Sequence, residues 1–301
     1  MGKQNKQLSS SLSTGGAGNN FETDVQAAFV TLMLVDGFIP CLPSWPIKKI
    51  KLQGKYAGYN TDDLIVFVES LDRKNERKLL CQIKRSITIG KNKDFREVIQ
   101  AAWKDFDSAN LFTEGKDSIA LITGMLSDRD IKHVRPLFER ARHAENATDY
   151  ITQINLPRYN SSVQGEKLHI FKELLNEANG HEISDDNFFR FMRSYNLLGY
   201  DLDIKSGVTL SLLQSLIGQH SLEDAQTLWS KIVCQVRYYN QNSGTIQRSD
   251  LPDELLDVFK KPSRETIPEK LGIIPSAPII ANWNLDKLAT AILLGGWDEN
   301  L

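Results

Sequence analysis

Apolar and polar positions recur along this chain with two periods, and the switches between them outline its elements. In FETDVQAAFVTLML, Phe21, Val25, Phe29, Leu32 and Met33 return at helical spacing. Glu22 and Asp24 sit where a helix favours negative charge, and Asn20 is placed to cap it. Asp36-Gly37 should end this helix, and Pro40, Pro43 and Pro46 keep the next stretch extended or turning. From Ile47 to Gln53 the period shortens: Ile50 and Leu52 alternate with Lys49 and Lys51, as in a strand with one wet face. Gly54 to Asn60 reads as a turn. Leu64-Ile65-Val66-Phe67-Val68 is apolar throughout, the signature of a strand covered on both faces. A polar loop, Asp72 to Glu76, leads into LLCQIKRS (79–86), so the two strands should be antiparallel neighbours.

Further on, DFREVIQAAWKDF carries Phe95, Val98, Ile99, Ala102, Trp103 and Phe106 on one helical stripe that would pack on the sheet. SIALITG (118–124) is a buried-strand candidate, followed by a charged helix around Asp128–Arg142. Helical patterns dominate from about Gly165 to Tyr239, with a short extended piece near Asp201–Ile204. Residues 1–20, rich in Ser, Gly, Asn and Gln, read as a flexible N-terminus. Residues 21–240 form the expected α/β domain, with a helical C-terminal extension from about 165. Residues 241–301 read as a linker and the start of a following module, because ATAILLGGWDEN begins an apolar motif that stops abruptly.

Composition changes this picture in few places. The chain has 301 residues, 25% of them charged, and a net charge of −2, ordinary values for a globular protein. No apolar run reaches the length of a membrane span, and the N-terminus lacks the apolar core of a signal peptide, so no membrane partner and a cytoplasmic location are expected. Cys41, Cys81 and Cys234 lie far apart with no CxxC pair, which argues against a zinc site or a disulfide framework. No phosphate-binding GxxxxGK[ST] loop occurs, and Gly15-Gly16-Ala17-Gly18 lacks both the Lys and the preceding strand. Charge is unevenly spread: between Pro46 and Arg96 thirteen Lys/Arg face six Asp/Glu. Lys48, Lys49, Lys51, Lys55, Arg85, Lys91 and Lys93 are the candidates to bind a polyanion such as nucleic acid.

Gln82 and Lys84 stand two residues apart on one strand and so share a face. Asp62 and Asp63 stand at the mouth of the strand that should pair with it, and Glu22 near the start of the first helix could close the group. A hard cation such as Mg²⁺ takes oxygen ligands, which Asp63, Glu22 and the Gln82 carbonyl offer; Mn²⁺ is a possible substitute. Lys84 suits the charge that accumulates on a phosphate under attack. Each residue also has a plain structural reading: Asp as a turn former, Gln-x-Lys as solvated strand face, Glu22 as a helix-end acid.

The sequence order FETDVQAA, YNTDDLIVFV, LLCQIKRS resembles the αβββαβ core of the PD-(D/E)XK nuclease superfamily, with Gln82 where the acidic residue of the (D/E)xK element usually stands. More narrowly, the GGAGxxFE opening, the Asp-Asp strand and the Gln-x-Lys strand are similar to the double-stranded-DNA endonuclease domain of bacterial antiphage effectors, among them cyclic-oligonucleotide-sensing effectors and antiviral STAND NTPases. The resemblance spans about Gly15 to Asn240. It implies a restriction-endonuclease-like fold, a Mg²⁺-dependent endonuclease with double-stranded DNA as partner, and metal binding by Asp63, Glu22 and Gln82 with Lys84 catalytic. The tail ATAILLGGWDEN resembles the junction into a STAND ATPase module, and because an always-active effector would harm any DNA, activation as a homo-oligomer through a C-terminal sensor or ATPase module is expected. Asp62 and Asp63 both remain candidates for the ligand, Asp63 being preferred because it directly precedes the apolar strand. Two other readings stay open: the same fold with a degenerate site that only binds nucleic acid or protein, and a helical interaction domain on an inert sheet. Nothing in the sequence reads the sugar, so an RNA substrate is open as well.

Overall fold

The computed structural model describes residues 11–156 and 161–259. The chain divides into Met1–Lys260 and Lys261–Leu301, and the described residues all belong to the first unit. The apolar motif near the C-terminus lies outside the described residues.

Helix α1 (Ser11–Leu34) is longer than its hydrophobic pattern. Asn20 stands inside it rather than at its cap, so the stretch read as flexible up to residue 20 is helical from Ser11. Extending a helix costs far less than nucleating one, and the buried positions Phe21, Val25, Phe29 and Met33 supply the nucleus. The helix ends as its sequence predicts. Asp36 takes a left-handed φ of 55°, and the Gly37 amide closes back onto the Leu32 carbonyl at 2.8 Å.

Then follow β1 (Ile47–Leu52), β2 (Leu64–Glu69), β3 (Glu76–Lys84), α2 (Lys93–Phe106) and β4 (Ser118–Thr123). Strands β1, β2 and β3 are antiparallel neighbours, and β4 joins β3 in parallel across α2. The expected helix around Asp128–Arg142 is two helices, α3 (Asp128–His133) and α4 (Arg135–His143), parted at Val134. Pro136 sits in the first turn of α4 and has no N–H to give a continuous helix. After α5 (Ala147–Asn155), α6 (Ser162–Asn179) and α7 (Asp185–Ser194) comes β5 (Tyr195–Gly199), parallel to β4. The extended piece expected at Asp201–Ile204 is instead a turn, closed by Ile204 N–H on Asp201 O at 3.2 Å. Helices α8 (Val208–His220) and α9 (Ala225–Gln241) complete the helical extension.

Residues from 241 do not behave as a linker as far as they are described. Strand β6 (Thr245–Ile246) adds to the outer edge of β1, and α10 (Asp253–Val258) follows. The described residues thus form one six-stranded sheet in the order β5-β4-β3-β2-β1-β6. Its two faces carry separate cores. Leu64, Val66 and Val68 of β2 pack towards α1, α8 and α9, while Ile65 and Phe67 pack towards α2 and α4 to α7. The unbroken apolar run of β2 is the consequence of this double cover. The architecture is mixed α/β with helices on both faces of the sheet.

Candidate active site at the mouth of the central strands

Strand β3 is central, and its last residues carry the first candidates. The pairing Leu64↔Cys81 leaves Asp63, one step before β2, beside Gln82. The contacts follow: Gln82 Nε2 and the Ile83 backbone N–H both donate to Asp63 Oδ2, the latter at 2.6 Å. Lys84 Nζ lies 3.9 Å from the same oxygen. Its side chain is 42% exposed against 13% for Asp63, so the ammonium faces solvent while the carboxylate lies behind it. Burial pushes the Asp63 carboxyl above the usual range, opposed by Lys84 and by the Ile83 N–H. Asp62 makes none of these contacts. It lines a separate pocket of about 240 Å³ with Lys55, Tyr59, Glu97, Gln100 and Lys104.

Glu22 reaches the group from α1. Its Oε1 accepts from Gln26 Nε2 at 3.1 Å and from Gln53 Nε2 at 2.8 Å, and its carboxylate also takes a hydrogen bond from the Asn240 side chain. Burial first, and the charge of Asp63 second, push Glu22 up to about 7. Gln26 also donates to the Asp63 backbone oxygen at 2.9 Å, so one amide ties both acids together. Gln53 ends β1 in a left-handed conformation, φ 50° and ψ 61°, which a non-glycine residue adopts at a cost.

The four residues singled out in the sequence therefore converge, and four others hold them that sequence reasoning missed. Gln26, Gln53 and Asn240 surround Glu22. Asp105 of α2, fully buried, accepts from the Asn60 backbone N–H at 2.9 Å, the Asn60 side chain at 2.8 Å and the Thr61 N–H at 2.6 Å. It thereby fixes the loop that delivers Asp62 and Asp63. One signal was available for Gln26: an amide four residues after Glu22, between the apolar positions Val25 and Phe29. Asn240 offered none, being more than two hundred residues away.

The candidate polyanion-binding cations divide. Lys48 is held by Glu69 and Glu76, Arg85 by Asp203, Lys91 by Glu173 and Lys93 by Glu97. Lys49 lies over the Phe67 ring at 4.3 Å. Among the described residues Lys51 and Lys55 make no ion pair, which leaves these two as the least committed of the seven candidates, while Lys84 is paired with Asp63. Four of the seven candidates are thus spoken for by carboxylates.

Among the described residues no three His, Cys, Asp or Glu side chains gather as a metal-binding group. The donors that do converge are nevertheless hard oxygens, from two carboxylates with amides around them. Gln26 Oε1 and Asn240 Oδ1 are buried and meet no hydrogen-bond partner. Mg²⁺ commonly takes one or two carboxylates and keeps several waters, so this donor set fits such an ion. Among the described residues no helix is long and apolar enough to cross a membrane.

No family model and no curated protein matches the chain. Among solved structures, the Cap4 SAVED/CARF-domain containing receptor of Acinetobacter baumannii is similar with a TM-score of 0.44 and 12% identity, over 81% of this chain and 49% of that one. The same receptor solved with the cyclic trinucleotide 3'3'3'-cAAA gives 0.43 and 12%, over 81% and 50%. The Moraxella osloensis Cap4 SAVED/CARF-domain containing receptor gives 0.43 and 14%, over 76% and 44%. This chain spans about half the length of those receptors or less. Likeness at this level speaks to neither activity nor ligand.

Proposed function

We propose that the chain is a Mg²⁺-dependent endonuclease that hydrolyses phosphodiester bonds of double-stranded DNA. The observation that carries this reading is the meeting of Glu22, Asp63, Gln82 and Lys84, from a helix and two adjacent strands, at one end of the sheet. Glu22 and Asp63 would hold the cation. When bound, the ion would draw charge from a phosphate oxygen and lower the pKa of its water. Gln82 and the Ile83 N–H fix the orientation of Asp63, so that its free oxygen is available to the ion. Lys84, exposed beside this carboxylate, takes the charge that builds on the phosphate as water adds to phosphorus and the bond to one sugar oxygen breaks. Lys51 and Lys55 offer further positive charge to the duplex.

The resemblance of these motifs to antiphage effector nucleases supports a defence role. An always-active DNA nuclease would harm its host, so clustering through a C-terminal module would switch it on. The competing reading is a nucleic-acid-binding module with a degenerate site, favoured by one feature: Gln82 brings a neutral amide where a third carboxylate would strengthen metal binding.

The test is cleavage of plasmid DNA with Mg²⁺ or EDTA, for wild type and Lys84→Ala, across a wide range of protein concentration. The expected result is metal-dependent nicking that rises faster than linearly with concentration and falls about a hundredfold or more in Lys84→Ala. DNA binding unaffected by EDTA, with no cleavage even when the chain is forced to oligomerise by fusion, would select the binding module. Full activity of isolated chains at high dilution would remove the clustering switch.

A further inference from the structure

Beside the start of β5 lies a cavity of about 260 Å³, lined by three arginines, Arg135, Arg142 and Arg193, against one carboxylate, Glu139. It stands apart from the Asp63 group. Asn196, on its wall, pairs with Ala120 of β4, whereas Lys84 pairs with Thr123, so the two positions are three residues apart along the sheet and two strands across it. At the usual strand rise and spacing that is a separation of roughly 14 Å. Within the cavity Arg142 is fixed. Its Nη1 donates to Asn196 Oδ1 at 3.0 Å and to the Tyr195 carbonyl at 3.1 Å, and its Nη2 donates to Glu139 Oε1 at 2.7 Å. This guanidinium and this carboxylate satisfy each other, and their charges cancel.

Arg135 and Arg193 are left over. Both are exposed, and neither makes an ion pair among the described residues. Arg193 has an ordinary reason for its place: it stands in the last turn of α7, where the helix dipole favours a cation. Arg135 has none, because it is the first residue of α4, the end that disfavours one. A cation there is stabilised when an anion shares the place. Glu139 feels Arg135, but its carboxylate is committed to Arg142, which is the main cause of its lowered pKa. Cys41, also on the wall, supplies no charge: burial pushes its thiol up to about 11, so it stays neutral.

We propose that this cavity binds the phosphate group of a ligand, captured by the guanidinium groups of Arg135 and Arg193 with Arg142 as a fixed wall. A carboxylate is matched by a single guanidinium, as Glu139 is by Arg142. Two further forks suit an anion with more oxygens and more charge, which a phosphate has. The volume lies just under the range of about 300–1,000 Å³ usual for small-molecule sites, which is room for one phosphate-bearing group. That phosphate belongs either to a free compound or to a nucleic-acid backbone, and the chemistry of capture is the same. The proposal does not rest on the metal-dependent reading above, since it uses none of Glu22, Asp63, Gln82 and Lys84.

The experiment is calorimetric titration of inorganic pyrophosphate into the full 301-residue chain, in EDTA and at low salt. The wild type should bind, and Arg135→Gln and Arg193→Gln should each weaken binding about tenfold or more. Lys74→Gln, an exposed cation on the loop between β2 and β3, should leave it unchanged. Glu139→Gln is the decisive variant. Removing the opposing charge and freeing one fork of Arg142 should tighten binding about three- to tenfold, a gain that misfolding cannot produce. The site is overturned by no pyrophosphate binding in the wild type, by unchanged affinity in both arginine variants, by an equal loss in Lys74→Gln, or by a Glu139→Gln protein that binds no tighter. A DNA duplex titrated into the same variants separates the two sources. A loss matching that for pyrophosphate assigns the phosphate to a nucleic-acid backbone, and duplex binding that is unchanged or absent assigns it to a free compound.

Discussion

Asp63 is useful only if its carboxylate is held still, and much of that restraint comes from a residue that never touches it. Asp105, in the last turn of α2, takes the backbone N–H groups of Asn60 and Thr61 on its two oxygens. Its removal would strand those donors in a buried place, at about 1–3 kcal/mol each. Asp105→Ala is therefore expected to lower unfolding free energy by about 3 kcal/mol, read from urea denaturation. It should also lower plasmid cleavage at temperatures where the variant is still folded, because the loop before Asp63 loses its anchor. A stability loss under about 0.5 kcal/mol, the size of an ordinary surface change, would show that the loop is held by something else.

At the scale of elements, the site depends on the helical extension remaining docked. Helix α9 packs on α1 and α8, and carries Asn240 at its last turn. Helix α8 is in turn fixed by its start. Asp201 accepts from Val208 N–H at 2.6 Å and Thr209 N–H at 2.8 Å, and Gly207 comes so close that an added Cβ would lie 2.3 Å from Asp201 O. Asp201→Ala should cost about 0.5–2 kcal/mol through the lost cap. Gly207→Ala should cost about 1–3 kcal/mol through overpacking against backbone that cannot move aside. Thermal unfolding of both variants checks the pair; a Gly207→Ala protein as stable as wild type would mean that the turn relaxes freely.

For the molecule as a whole, pH sets stability through its buried acids. Glu22 is pushed from an ordinary 4.5 up to about 7, and Asp24 from 3.8 up to about 6, in both cases by burial first. The folded state then binds more protons than the unfolded chain between those values, so these groups stabilise the fold at low pH and lose that contribution as pH rises towards 7. Asp201 and Glu139, held below their ordinary values by the Thr209 side chain and by Arg142, act oppositely and lose their contribution as pH falls below about 4. Without divalent cations, urea midpoints should therefore fall from pH 5 to pH 8. Glu22→Gln should flatten the slope, and Mg²⁺ should restore stability at pH 8 by binding the folded state alone. Midpoints that rise steadily from pH 5 to pH 8 in EDTA would contradict this balance.

Local signals were enough for β1, β2, β3, α2 and β4: β1 and α2 carry the period of their element, and β2 and β4 are short apolar runs too brief for a helix and bounded by polar turns. They were also enough to bring Asp63, Gln82 and Lys84 together on paper, since an antiparallel pairing of two short strands leaves little freedom in which residues face each other; Glu22, on a helix, was placed there only by the resemblance. The sequence failed where long-range packing overrode local preference. Ser11 to Asn20 has a composition that favours disorder, yet it is helical as an extension of a buried helix. Tyr195 to Gly199 was hidden between helical patterns and becomes a strand because the edge of β4 is there to pair with it. Residues 245 and 246 look like linker and become the sixth strand for the same reason. In the site, the sequence determined which groups carry charge. Only the tertiary structure decided which neutral amides surround them, since Gln53 and Asn240 reach Glu22 from far along the chain and no local pattern encodes a hydrogen bond across that distance.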